Sequence, residues 1–309
     1  MGRHERASNG AYSRASLGAK SMGFRVSTEP ERTLLGTVFP HSLSERPWRR
    51  PVQLVVEAVL STLAAAWIAV TLGVDEPGLV SLFLVAAALS ARVGELLEEN
   101  RRNIWERRIG GWAANRATAG GILALLAGVY AGYSAVACML GEARVASLFA
   151  FALRAAALDG ETIFERDFGT FPALVAHNAG VLLVIACLAF VYRAYGTMLA
   201  LAWNACIWAL VITTLAMRGA ASAGTPAVAK VGLAIAALAP HLVLEGLAYI
   251  TVSLAFLFAS KGLTTYPGGD PRLRRVLAAS AMLTVAALVA LVLAAAAEVS
   301  LAPRALALL

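Results

Sequence analysis

An apolar run about as long as a bilayer is thick, repeated down the sequence, limits what this chain can fold into. Val52 to Leu72 carries a single charge, Glu57, and supplies the roughly 20 residues a helix needs to cross a ~30 Å hydrocarbon core. Lipid offers the backbone no hydrogen-bonding partners, so such runs must satisfy their own N–H and C=O groups as helices. The expected fold is an all-α, polytopic transmembrane helical bundle. Composition agrees: 59% of residues are hydrophobic, 15% are charged and the mean hydropathy is +0.72, where a soluble domain carries about 25% charged residues.

About seven spans are predicted, near 53–73, 79–93, 117–140, 178–194, 197–217, 227–259 and 276–299. Pro240 falls inside the sixth, where a missing backbone donor and a ring clash predict one bent or discontinuous crossing, a half-helix followed by a full one. Arg193 to Gly196 leaves room only for a tight turn, so the fourth and fifth spans must form an antiparallel hairpin. The apolar stretch 145–157 is too short to span and is expected to lie at the interface or pack on the bundle surface.

Loop charge predicts orientation, because Lys and Arg are enriched on the cytoplasmic side. Residues 1–50 hold nine Lys or Arg against four Glu and show no sustained apolar period, which predicts a disordered, basic cytoplasmic tail. Residues 51–116 form a two-helix hairpin whose second helix extends into the cytoplasm through Arg101, Arg102, Arg107 and Arg108. Residues 117–309 are then a five-helix membrane core. Segment 141–176, with three Arg against five acids, belongs outside. The net charge of +7 is spread over loops instead of gathered on one face, so nucleic acid is not an expected partner. Cys138, Cys187 and Cys206 all sit in apolar runs, and an odd count argues against a disulfide framework.

Ionisable groups inside spans are costly and therefore candidate functional residues. Glu57, His177, Lys230, His241, Glu245 and Glu298 qualify. His241 and Glu245 stand four apart after Pro240 and so share a helix face. Such a pair can bind a metal, relay a proton or lock a bent helix. A zinc site needs three or four protein ligands, and the supply of His is thin, so no metal and no cofactor is expected. His177-Asn178 is expected to open the fourth span as an interfacial residue and a helix cap. Glu57, Lys230 and Glu298 lie near predicted ends, where snorkelling or pairing accounts for them. No serine elbow, phosphate loop or zinc-protease motif occurs, so no catalytic residue is assigned. Ala124, Gly128 and Gly132 recur every four residues and form a candidate helix-packing seam, through which the chain could form a homo-oligomer.

Across about 160–262, the His177-Asn178 pair, the hairpin with Gly196-Thr-Met-Leu-Ala-Leu201 and the segment Ala239-Pro-His-Leu-Val-Leu-Glu-Gly-Leu-Ala-Tyr249 resemble the stage II sporulation protein M family. Its Pro-His-Gly-x-x-Glu segment maps onto Pro240, His241 and Glu245, with Leu242 where the family often has Gly and His177 where it often has Asn. The resemblance implies a bacterial plasma membrane protein with a cytoplasmic N-terminus. It also implies a non-enzymatic scaffold whose partners are membrane lipids and other membrane or envelope proteins. A transporter or channel using the Pro240-His241-Glu245 break is the alternative, and an intramembrane hydrolase a remote third.

Overall fold

A computed structural model describes residues 49–155, 171–224 and 226–306; residues 1–48 of the predicted tail and the acidic and aromatic segment 156–170 lie outside the described residues, while Arg49 and Arg50 already belong to the first helix. Among them are eight helices: α1 (Arg49–Thr71), α2 (Pro77–Trp105), α3 (Gly111–Leu140), α4 (Glu142–Leu148), α5 (Ala150–Ala155), α6 (Phe171–Ala223), α7 (Ala227–Thr265) and α8 (Pro271–Leu306). Six are long and apolar enough to cross a membrane. The boundaries follow local chemistry. Pro77 and Pro271 occupy first helical positions, where a missing N–H costs nothing. Asp270 accepts the backbone N–H of Arg272 at 2.8 Å and caps α8. Gly141, at φ +73, ends α3 in a conformation that favours glycine.

Helix α6 is 53 residues long and interrupted only at Arg193, at φ 53 and ψ −126. The chain reverses there: a Cβ on Gly196 would collide with the backbone carbonyl of Leu188, which in a straight helix would lie about 12 Å away. Only glycine fits that approach. The predicted hairpin thus exists with a turn of about one residue, and the six long helices supply seven membrane-length segments.

Contacts between helix ends sort these segments onto two faces. On one, Arg154 pairs with Glu76 at 3.2 Å and Arg218 donates to Glu142 at 2.6 Å. On the other, Arg50 pairs with Glu99, Trp105 meets Tyr266 edge-on, and Arg193 donates to Thr264. Each crossing runs from one face to the other in chain order.

One expectation is corrected, the interruption at Pro240. Helix α7 passes through Pro240 without interruption over 39 residues, so the proline is accommodated within a continuous helix. The stretch 145–157, described through Ala155, does not span: two short helices pack on one end of the bundle, with Val145, Phe151 and the intervening Phe149 buried and Arg144, Ala146 and Ser147 exposed. Phe149 meets Tyr133 edge-on, and Phe151 lies against Trp203. One hydrophobic core runs from Leu54 in α1 to Leu291 in α8, so the N-terminal hairpin shares its interior with the later helices. The outward stripe Met282, Val285, Val289 and Leu293 of α8 is exposed, as a lipid-facing surface should be.

Candidate functional site

Helices α7 and α8 are joined by the short loop at 266–270, which lays them antiparallel and brings residues of similar distance from that loop side by side. His241 and Glu245 on α7 thereby face Ala294 and Glu298 on α8. His241 Nε2 lies 3.0 Å from Glu245 Oε2 and 3.6 Å from Glu298. Its Nδ1 lies 3.2 Å from the carbonyl oxygen of Ala294. Both ring nitrogens face acceptors, an arrangement that an imidazole donating from both can satisfy. One turn on, the Tyr249 hydroxyl donates to Glu245 Oε1, while the Tyr249 ring stacks on Trp208 of α6 at 6.0 Å. His241 and Glu245 are 9% and 5% exposed, so the cluster belongs to the protein interior.

Tyr249, Glu245, His241 and Glu298 form a chain of polar groups that connects two helices through lipid depth. Chemically it can hold the helices in register, or pass a proton between a hydroxyl, two carboxylates and an imidazole. Among the described residues, no group of three or more His, Cys, Asp and Glu side chains is arranged to hold a metal ion.

The other predicted polar residues do not join this cluster. Helix α6 begins six residues before His177, so Asn178 is not a cap; it lies inside the helix, buried, with its Nδ2 unpartnered among the described residues. His177 is exposed. Residues Ala124, Gly128 and Gly132 do form a packing seam, but within the chain. A Cβ on Gly128 would sit 2.6 Å from the Ala58 Cβ, and one on Gly132 2.6 Å from the Thr62 Cβ, so the seam is filled by α1 and is closed to a second copy.

A second buried cluster was not anticipated. Arg92 of α2 grips Glu57 of α1 in a two-pronged pair, Nε to Oε2 at 2.8 Å and Nη2 to Oε1 at 2.9 Å. Their side chains are 7% and 1% exposed. Arg92 Nη1 donates to Glu95 at 2.8 Å, and Gln53 donates to Glu57 at 3.1 Å. Glu57 is therefore paired, not snorkelling. The sequence held a usable signal: Glu57 and Arg92 are nearly equidistant from the Gly73–Gly78 turn, so an antiparallel hairpin puts them at one depth.

No model of a protein family, no curated protein and no solved structure matches the chain.

Proposed function

We propose that this chain is a non-enzymatic, multi-pass membrane scaffold, an assembly component of an envelope-associated protein complex in a bacterial plasma membrane. The observation that carries this reading is the closure of its buried charges on one another. Glu57 and Arg92 satisfy each other at one level of the bundle, with the exposed Glu95 on the remaining arm of Arg92, and His241, Glu245, Tyr249 and Glu298 at another. Polar groups spent on each other hold helices in place instead of waiting for a cargo. The resemblance of 160–262 to the stage II sporulation protein M family points the same way. The face bearing Arg50, Arg101, Arg193, Lys261 and Arg275 would be cytoplasmic, as would the N-terminus, since basic loops favour that side. Cysteines placed in 94–116 should then be labelled only from inside intact cells.

A transporter reading is favoured by one observation, the continuity of Tyr249, Glu245 and His241 with Glu298, because intramembrane His and carboxylate chains serve as proton relays. The deciding experiment pairs gentle purification from the native membrane, identifying co-purifying chains, with a flux assay on the protein reconstituted alone into vesicles. A scaffold should arrive with stoichiometric partners, keep them in Glu245→Gln, and show no flux. Proton-coupled flux abolished by Glu245→Gln would overturn the scaffold reading.

A further inference from the structure

On the face that carries the basic loops, α2 and α3 splay from α7 and α8 and leave a groove of about 260 Å³. Its walls are apolar, including Phe258 and Val276, and Trp105 and Tyr266 stand together among its lining residues, 6.5 Å apart. Trp and Tyr favour the boundary between acyl chains and headgroups. Three cations line it, and they are not equivalent. Arg101 is tied to Glu98 at 2.7 Å and to Glu106 at 3.0 Å. Lys261 and Arg275 make no salt bridge among the described residues. Arg272, stacked on Tyr266, is held by Asp270.

Asn100 supplies the second observation. It lines this groove and is 2% exposed. Its Nδ2 donates to Asn115 Oδ1 at 3.0 Å, and its own Oδ1 has no partner among the described residues. A buried carbonyl oxygen left unpaired costs free energy that a donor would recover. The groove therefore combines an apolar body, an aromatic edge, two cations that make no salt bridge among the described residues, of which Lys261 still feels the carboxylate of Glu98, and a buried acceptor awaiting a donor.

We infer that this groove binds an anionic phospholipid whose headgroup carries a hydroxyl donor, its phosphate beside Lys261 and Arg275, its hydroxyl on Asn100 Oδ1 and an acyl chain along Phe258 and Val276. Basic pockets between membrane helices suit phosphate headgroups. A zwitterionic lipid lacks the net charge for the cations, and an anionic lipid without hydroxyls leaves Asn100 unsatisfied. Phosphatidylglycerol has both features.

The full chain in detergent would be titrated with phosphatidylglycerol, with phosphatidylcholine of the same acyl chains, with phosphatidylethanol, which is anionic but has no hydroxyl, and with inorganic phosphate. Bound lipid is read by native mass spectrometry and by the shift in thermal unfolding. Phosphatidylglycerol should bind most tightly, and phosphatidylethanol more weakly but above phosphatidylcholine. Phosphate alone should have no effect. Lys261→Ala/Arg275→Ala should weaken phosphatidylglycerol binding roughly 25-fold, about fivefold for each basic group at a membrane surface. Its lipid-free unfolding temperature should not change. Equal binding of phosphatidylglycerol and phosphatidylcholine, or an unaffected double variant, would overturn the site. Stabilisation by phosphate alone would reassign it to a soluble anion. Equal binding of phosphatidylglycerol and phosphatidylethanol would remove Asn100 from it; this comparison uses the native chain and does not depend on whether an Asn100 variant folds.

Discussion

The helix pairs α1–α2 and α7–α8 both bury acids between helices, but they neutralise them with different bases. Between α1 and α2 the base is Arg92, whose guanidinium stays charged and forks onto both oxygens of Glu57. Between α7 and α8 the base is His241, one imidazole placed between Glu245 and Glu298. An arginine pair has one stable protonation state and so acts as a permanent fastener. A histidine among two carboxylates and a tyrosine has several, and its charge can change without any helix leaving its place. If the protein has a part that switches, it is at the second cluster; the first sets the frame.

The largest effect should come from breaking the arginine pair. Arg92→Ala leaves Glu57 charged and buried, a loss of about 3–5 kcal/mol for an orphaned member of a buried pair. Unfolding in detergent by heat or denaturant measures it. Removing both partners in Glu57→Met/Arg92→Met should restore most of that loss, since well-packed apolar side chains replace a buried ion pair at little cost. A double variant as unstable as the single one would show that the pair is more than a fastener.

Next in size is the seam that holds α1 against α3. Gly128→Leu forces side-chain atoms into the Val55 carbonyl and the Ala58 methyl, and overpacking of this kind costs about 1–3 kcal/mol. Because α1 fills the seam, the variant should lose thermal stability while any oligomeric state, followed by light scattering, stays as it was. Dissociation of an oligomer with unchanged stability would place the seam between chains instead.

The α7–α8 cluster should answer differently to charge and to shape. Glu245→Gln keeps the oxygen that accepts from Tyr249 and should unfold within about 1 kcal/mol of the native chain. Glu245→Leu strands the Tyr249 hydroxyl and one nitrogen of His241, at about 1–3 kcal/mol. A Gln variant as damaged as the Leu variant would mean that charge, not hydrogen bonding, holds this cluster, and the contrast with Arg92 would vanish.

Much of this was legible before the structure, for physical reasons that differ by residue. Span count and the α6 hairpin follow from run length and from the four residues between runs. The pairing of His241 with Glu245 follows from helical spacing alone. What the sequence hides is set by neighbours distant along the chain: Glu298 joins His241 because a short loop aligns α7 with α8, and Arg92 meets Glu57 across the first turn. Pro240 misleads only as a break: a helix held against a neighbour can stay continuous despite one lost hydrogen bond. Asn178 misleads because a helix starting seven residues earlier turns a cap into an interior amide.

The smallest expected effect gauges what burial in the protein interior adds to such pairs. Asp270 and Arg272 form the same kind of pair at the water-facing start of α8, Arg272 Nη2 lying 2.7 Å from Asp270 Oδ2. Hydrogen bonds from the Arg272 side chain, then from its backbone N–H, hold the Asp270 carboxyl below its ordinary range. A carboxyl depressed in the folded state stabilises above its unfolded pKa and loses that contribution as pH falls through the folded value. Its acidic folded value puts the loss below about pH 4, the ordinary Asp range. Above that window Asp270→Ala should speed hydrogen exchange in the first turn of α8, which loses its cap, and leave global unfolding nearly unchanged. Below it, native and variant chains should exchange alike, because the native carboxyl is then protonated. Added salt should shrink the Asp270 effect, since water-facing charges are screened, and leave that of Arg92→Ala intact, since its pair is shielded from solvent. Equal salt sensitivity of the two would show that the Glu57–Arg92 site is reached by water.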